Sequence, residues 1–258
     1  MNGIACAVGT LLLLAGSSSQ AAGWFEKVRV IGGVSGGYTT FDFPEKLDHE
    51  IHFPSAELVL AATVSQWQLN LSWTNSLLDA ELSEEEDTGN ATRSDLDFTL
   101  GYQLNRQWSI FAGLKDGETK IDFIPREEGI STSESYAQQG PYIGASYSWR
   151  FENAGSLNVS LAYAYLDASN IFSANTDNEE GEDENEAIEF DDLTGRIDGN
   201  TSGFSYSASW TMPLSSSLLY QTRLKVNSYR QDVELSGREF PGIDETLIRL
   251  SVGLAYVF

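Results

Sequence analysis

The chain has 258 residues, with 38 acidic against 15 basic side chains and a formal net charge of -23. Nucleic-acid-binding proteins need clusters of Lys and Arg, so this charge excludes nucleic acid as an expected partner. The mean hydropathy of -0.24 excludes a helical membrane protein, because each spanning helix needs about 18 or more consecutive apolar residues. An aromatic content of 12% is higher than that of disordered acidic chains.

Residues 1–21 have the order of regions that is typical of a secretory signal peptide. The segment has no charged side chain, and an apolar stretch from Ala5 to Ala15 is followed by small and polar residues up to Ala21. A positively charged start is lacking, which departs from the usual pattern. Cleavage after Ala21 would remove Cys6, the one cysteine of the chain. We therefore expect a secreted single domain over 22–258 without disulfides.

From residue 28 onward, apolar side chains recur at every second position, which is the period of a β-strand with two different faces. In residues 67–72, for example, large apolar side chains alternate with Gln, Asn and Ser. These small polar residues would form a poor sandwich core, but they suit the hydrated interior of a narrow membrane barrel. The pattern predicts an all-β fold, a transmembrane antiparallel up-and-down β-barrel.

The pattern indicates ten strands, joined alternately by short turns and long loops. The predicted strands are 28–42, 55–65, 67–82, 93–104, 107–122, 135–151, 156–172, 201–213, 217–234 and 244–258. An even strand number with this alternation is typical of outer-membrane barrels, in which both termini are periplasmic. Eight or twelve strands are alternatives, because Asp116-Gly117 could form a hairpin turn within one long segment.

Tryptophan side chains gather beside the short turns. Trp67 and Trp108 begin predicted strands just after such turns, and Trp149 and Trp210 lie just before them. An aromatic girdle of this kind marks the edge of a membrane-spanning band.

The last predicted strand has apolar residues at alternate positions and ends with an aromatic residue. The pattern consists of Leu250, Val252, Leu254, Tyr256 and Phe258. In this strand the sequence resembles the outer-membrane β-barrel proteins of Gram-negative bacteria. The resemblance implies location in the outer membrane, with its lipid and lipopolysaccharide as partners. It also implies that the barrel assembly machinery reads this strand during biogenesis.

Candidate catalytic groups are few. Asp95-Leu96-Asp97 resembles the Asp-x-Asp pair of omptin-type proteases, which are also ten-stranded. The Asp-x-His pair of those enzymes is missing, because Glu50 stands two residues before His52. The sequence therefore predicts that the chain is not an enzyme, and an omptin-like protease is kept only as an alternative.

The long loops carry a large share of the acidic residues. Ten carboxylates lie in 177–192 and four more in 84–87. We expect solvated loops and no cofactor, with weak binding of divalent cations as the alternative, which could bridge the loops to lipopolysaccharide phosphates. In the acidic run the candidate ligands are Asp177, Glu179 and Asp183. In the first long loop, Asp48, His49 and His52 could hold Zn or Cu, but solvated side chains are the expectation there too.

Basic residues recur on the predicted inner face of the barrel. They are Arg29, Lys115, Arg150, Arg223, Lys225 and Arg249. With Glu57 and Asp97 on the same face, these cations form either an internal salt-bridged plug or a narrow channel for small anions. Because about eight strands are just filled by side chains, ten strands favour the plug. We therefore expect a structural or surface-interaction role, with a narrow passive channel as the alternative.

Overall fold

A computed structural model describes residues 28–42, 50–84, 87–125, 132–152, 154–172, 195–235 and 238–258. The predicted signal peptide lies outside these residues. Within them, no helix is long and apolar enough to cross a membrane. The described residues form the strands β1 (Val28–Asp42), β2 (Ile51–Val64), β3 (Trp67–Ser76), β4 (Ala80–Glu84), β5 (Asp87–Gln103), β6 (Trp108–Pro125), β7 (Thr132–Phe151), β8 (Gly155–Phe172), β9 (Gly195–Pro213), β10 (Leu218–Leu235) and β11 (Arg238–Val257).

These strands form one closed antiparallel sheet. Strands adjacent in the chain pair with each other except for β3 and β4, and β1 closes the ring by pairing with β11 from Ile31↔Val257 to Asp42↔Thr246. Strands β3 and β4 both pair with β5, so they are two parts of one barrel strand that is interrupted at 77–79. The barrel therefore has ten strands, which confirms the predicted fold class.

The alternatives of eight or twelve strands are wrong. Strand β6 runs without a break from Trp108 to Pro125 and pairs along its length with β5 and β7. Asp116 and Gly117 lie within this strand, where the backbone is held by both neighbours. They therefore form no hairpin turn.

Most strands are longer than predicted at the end that carries the long loops, which we call the loop end. Strand β2 begins at Ile51 rather than at 55, and β9 begins at Gly195 rather than at 201. At the opposite end, the turn end, the predicted bounds are correct to within a residue or two. Strands β7 and β11 have 20 residues each, about twice the 9–11 that cross a membrane. A large part of the barrel thus extends beyond a bilayer.

Large apolar side chains cover the outside of the barrel from the turn end to about its middle. We call this surface the apolar belt. It includes Trp67, Leu69, Leu71, Trp73, Leu96, Phe98, Leu100, Val159, Leu161, Tyr163, Tyr165, Leu250, Val252, Leu254 and Tyr256, each 37–54% exposed. Such a band is stable only against lipid tails, since soluble proteins rarely expose apolar patches of this extent.

Aromatic rings form the turn-end edge of the belt. The ring centroids of Trp67 and Tyr102 are 4.9 Å apart, those of Trp108 and Tyr147 are 4.9 Å apart, and those of Tyr147 and Trp149 are 4.5 Å apart. Trp67, Trp108 and Trp149, which the sequence placed beside short turns, therefore belong to an aromatic girdle at this end.

Toward the loop end, the two faces of the wall exchange their chemistry. We call this part of the barrel the collar. Its outward side chains include Glu118, Lys120, Asp122, Asp167, Asp198, Asn200, Arg230 and Asp244. Its inward side chains form a buried apolar cluster of Phe41, Ile51, Phe53, Ala80, Ala91, Ile121, Phe123, Tyr136, Ile197 and Leu247, each at most 7% exposed. The collar therefore has the inside and outside of a water-soluble β-protein.

Candidate functional site

An ionic network lies next to the apolar cluster on the side toward the turn end. Arg93 donates from Nη2 and Nε to the two carboxylate oxygens of Asp95, at 2.8 and 3.1 Å. Arg249 binds the same carboxylate and donates from Nη1 to Thr74 Oγ1 and from Nε to Thr39 Oγ1, both at 3.0 Å. All five side chains are buried. Two guanidinium groups thus share one carboxylate inside the barrel, and threonine hydroxyl groups accept further hydrogen bonds from Arg249.

The network depends on a close approach between the wall and the carboxylate. A Cβ on Gly117 would lie 2.6 Å from Asp95 Oδ1. This glycine faces the lumen beside the carboxylate, so it makes room for the ion pair that Asp95 forms with Arg93.

Amide groups extend the polar layer across the collar. Glu245 accepts hydrogen bonds from Nε2 of Gln138 and, at 3.0 Å, from Nε2 of Gln231, which in turn accepts one from Asn170 Nδ2 at 2.9 Å. The outward neighbour of Glu245 in β11 is Asp244, so this carboxyl lies outside the apolar belt. Burial raises the pKa of the Glu245 carboxyl, because a charged form is costly without water.

A cavity of about 540 Å³ occupies the lumen inside the belt and extends to the turn end. We call it the lumen cavity. Its inner end is formed by two polar pairs. Lys225 Nζ lies 2.8 Å from Asp97 Oδ2, and Lys115 Nζ donates to Tyr229 Oη at 3.2 Å while lying 4.6 Å from the centre of that ring. The cavity therefore meets charged groups where it ends against the collar.

Small polar residues in register form one wall of the cavity across β7, β8, β9 and β10. The three rows are Ser146, Ser160, Ser207 and Lys225; Ser148, Asn158, Ser209 and Arg223; and Arg150, Ser156, Thr211 and Gln221, of which all except Ser156 line the cavity. Within them, Ser160 Oγ and Ser207 Oγ are 2.7 Å apart, and Asn158 Nδ2 donates to Ser148 Oγ at 2.8 Å. Each row thus joins hydroxyl or amide groups to a basic side chain.

The predicted lumen cations lie at different depths. Lys115 and Arg249 are buried at 5% exposure. Arg223 Nη1 lies 3.0 Å from Glu57 Oε1, and the Arg223 side chain keeps 24% of its surface exposed. Arg150 lines the cavity at the turn end with an exposed side chain.

Arg29 has the inward position in the alternation of β1, but it lies apart from the other predicted lumen cations. Its side chain is exposed and does not belong to the cavity lining. The reason is its place in the ring, because β1 pairs with β11 only from Ile31 onward, whereas Arg29 pairs with Thr63 of β2. Thr63 lines the cavity, and a role for Arg29 as a lumen charge stays a prediction.

Sequence reasoning missed Arg93 and Glu245 as lumen charges. Arg93 precedes Asp95 and Asp97 by two and four residues in β5, so it occupies the same face as both carboxylates. This spacing was the available signal. Glu245 lies four residues before Arg249 in β11 and could have been found in the same way.

The candidate metal ligands do not form a described site. Asp48, His49, Asp177, Glu179 and Asp183 lie outside the described residues. His52 is described and exposed, with Nδ1 3.1 Å from Thr40 Oγ1. In the part of the chain that the structure describes, no group of three His, Cys, Asp or Glu side chains could hold a metal ion.

Asp95 and Asp97, which resemble the Asp-x-Asp pair of omptin-type proteases, do not lie in an open cleft at the rim of the barrel. Asp95 and Asp97 are buried inside the barrel and paired with basic side chains. His52 points to the opposite side of the wall, because its neighbours Ile51 and Phe53 belong to the buried cluster. An imidazole on the outside and two carboxylates on the inside cannot act on the same substrate.

The last strand is part of the belt and closes the ring. The backbone N–H of Phe258 donates to Val30 O at 2.9 Å, and its ring centroid lies 5.0 Å from that of Tyr256. The side chains of Leu250, Val252, Leu254, Tyr256 and Phe258 are exposed on the outside of the barrel. Recognition of this strand by the assembly machinery stays a prediction.

Known structures share this architecture at low sequence identity. No protein-family model matches the chain, and no curated protein matches it in sequence. The outer membrane protease OmpT from Escherichia coli is similar with a TM-score of 0.50 and 14% identity, covering 90% of this chain and 96% of OmpT. The translocator domain of the autotransporter NalP from Neisseria meningitidis has a TM-score of 0.48 and 13% identity, covering 95% of this chain and 91% of that domain.

A third similar structure is Ail, the attachment invasion locus protein of Yersinia pestis, in complex with the heparin analogue sucrose octasulfate. It has a TM-score of 0.41 and 11% identity, covering 90% of this chain and 99% of Ail. This chain and OmpT share the fold of an outer-membrane β-barrel, and the apolar belt and the aromatic girdle are the surface of a barrel that spans a membrane.

Proposed function

We propose that the chain is a non-conducting barrel with a structural or surface-interaction role at the outer face of the membrane. The observation that carries this proposal is the filled interior of the collar. Phe41, Phe53, Ile121 and Leu247, from four different strands, are at most 1% exposed and meet inside the barrel. The buried network around Asp95 lies next to them, so ions that enter from the turn end meet a packed layer.

The orientation follows from the loops. Short turns face the periplasm in outer-membrane barrels and longer loops face outward, so the collar would lie outside the cell and both termini in the periplasm. The collar then presents a largely acidic surface, with Asp122, Asp167 and Asp198 among its outward side chains. Contacts with outer-membrane lipid and lipopolysaccharide, and with the assembly machinery through the last strand, belong to this proposal.

Conductance in a planar lipid bilayer tests the closed lumen. We expect the purified chain to give no unit current steps, because an ion crossing the collar would have to displace buried apolar side chains. The variant Phe41→Ala/Phe53→Ala/Ile121→Ala removes three of these side chains and should produce small steps. Steps in the unaltered chain would contradict the proposal.

A narrow passive channel is the second candidate, and the cationic lumen cavity favours it. Steps in the unaltered chain with a preference for anions would support this candidate. The charge of the cavity lining, which includes Lys225, Arg223 and Arg150, predicts that preference.

A further inference from the structure

The charge of the lumen cavity is opposite to the charge of the chain. Four basic side chains line it, Lys115, Arg150, Arg223 and Lys225, against one carboxylate, Asp97. Glu57 pairs with Arg223 from the neighbouring surface and leaves an excess of two positive charges. The whole chain carries a formal charge of -23, so the cavity is a cationic site in an anionic protein.

The basic groups retain the capacity to bind a ligand. Lys225 uses one of its three N–H groups to donate a hydrogen bond to Asp97, and its side chain is 24% exposed. Arg223 bonds Glu57 and Gln221 through its two terminal nitrogens and is equally exposed. Among the described residues, no group forms an ion pair with the Arg150 side chain. An anion that enters from the turn end would meet Arg150 first and Lys225 last.

The wall beside these cations consists of hydroxyl and amide groups. Ser146, Ser160 and Ser207 lead in register to Lys225, and Ser148, Asn158 and Ser209 lead to Arg223. On the opposite side of the lumen, Asn70 Oδ1 is buried and has no partner among the described residues. Hydroxyl and side-chain amide groups both donate and accept hydrogen bonds, so a wall built from them can bind the hydroxyl groups of a ligand.

We propose that the lumen cavity is a binding site for a small hydroxylated anion, of the chemical class of the sugar phosphates. The phosphate would lie between Arg150, Arg223 and Lys225, and the hydroxyl groups would lie along the serine rows. A volume of about 540 Å³ falls within the range of about 300–1,000 Å³ that is usual for small-molecule sites. The collar closes the far end, so the ligand enters and leaves by the turn end.

Calorimetric titration of the full chain in lipid nanodiscs at low ionic strength tests this site, with glucose 6-phosphate as the probe. We expect saturable binding of one molecule per chain, weaker binding of inorganic phosphate and no binding of glucose. Absence of saturable binding of glucose 6-phosphate would overturn the proposal. Equal binding of glucose would overturn the role of the cations, and equal affinity for inorganic phosphate would overturn the role of the serine rows.

The variant Arg150→Gln should weaken glucose 6-phosphate binding by about fivefold, which is the loss expected for one partly solvated, charge-assisted hydrogen bond. Arg150 is exposed, so the change leaves the packing of the barrel intact. The matched control is Arg106→Gln, at the same end of the barrel but outside the cavity lining. An equal loss in both variants would show attraction to the turn end as a whole and would overturn the assignment to the cavity.

This site and the proposed closed lumen fail in different experiments. A chain that binds glucose 6-phosphate and conducts ions contradicts the closed lumen alone. A chain that is silent in the bilayer and binds no glucose 6-phosphate contradicts the binding site alone.

Discussion

The belt and the collar are built from the same strands with the same alternation, yet they bury opposite kinds of side chain. In β11, Leu250 points outward from the belt at 53% exposure, whereas Leu247 points into the collar at 1% exposure. In β8, Leu161 faces outward at 48% exposure and Leu166 faces inward at 0%. In these stretches of β8 and β11 the period of two is preserved, and only the medium outside changes from lipid to water.

This reversal determines what the lumen contains. In the belt the apolar side chains face outward to lipid, so the polar side chains point inward and surround the lumen cavity. In the collar the polar side chains face outward to water, so the apolar side chains point inward and pack into a core. The boundary between a hydrated lumen and a packed core therefore lies near the outer limit of the belt, where the ionic network of Arg93, Asp95 and Arg249 is found.

The largest effect on this boundary is expected from Asp95→Ala. The change leaves Arg93 and Arg249 buried side by side without their shared carboxylate. Breaking a buried pair in this way costs about 3–5 kcal/mol, and we expect the free energy of unfolding, measured by urea titration in lipid vesicles, to fall by about 4 kcal/mol.

The control for this variant is Asp198→Ala, which removes an exposed carboxylate of the collar. Asp198 Oδ1 lies 3.1 Å from Arg196 Nε, and both side chains are 66% exposed. Surface pairs of this kind contribute little to stability. If the two variants unfold at the same urea concentration, the network does not stabilise the boundary.

A smaller effect is expected inside the collar from Leu247→Ala. Leu247 is fully packed in the apolar cluster, and removal of such a leucine costs about 3 kcal/mol, because transfer energy is lost and a cavity remains. The matched variant Leu224→Ala changes a leucine of the belt on the adjacent strand, where the side chain is 42% exposed and lipid can fill the space. A loss for Leu224→Ala as large as that for Leu247→Ala would contradict the distinction between the two regions.

The sequence predicts the belt well, because the alternation there follows a single rule. Residues 67–72 show large apolar side chains outward and small polar ones inward, and the structure agrees for this stretch. The strand count and the turns follow from this pattern. The same alternation predicts that Lys115, Asp97 and Lys225 lie on the inner face of the barrel.

The collar was harder to predict, because its pattern resembles that of a loop. Ile51 and Phe53 alternate with His52 and Pro54, and a proline usually argues against a central strand. In the structure Pro54 pairs with Tyr38, and its carbonyl accepts the N–H of Leu77 at 2.7 Å where β3 ends. The strand therefore extends through Pro54 back to Ile51, whereas the sequence predicts that it begins at residue 55.

The partners within the ionic network lie beyond what one sequence can indicate. Arg249 and Asp95 are 154 residues apart and belong to strands that do not pair. Their contact depends on the diameter of the closed barrel and on the long reach of an arginine across it. The alternation along each strand predicts that both side chains face inward, but which inward side chains meet depends on the three-dimensional packing.

The boundary between lipid and water can be located along a single strand by one substitution at two positions. Leu161→Arg places a cation on the belt surface of β8 and should lower the free energy of unfolding in vesicles by about 2 kcal/mol, because a charge at this depth must leave water. Asp167→Arg makes the same change six residues later on the same face, in the acidic surface of the collar. We expect no loss there, since the cation remains solvated and has Asp198 nearby on β9. Equal losses at both positions would show that lipid also covers the collar, and a loss at neither would show that the belt does not face lipid.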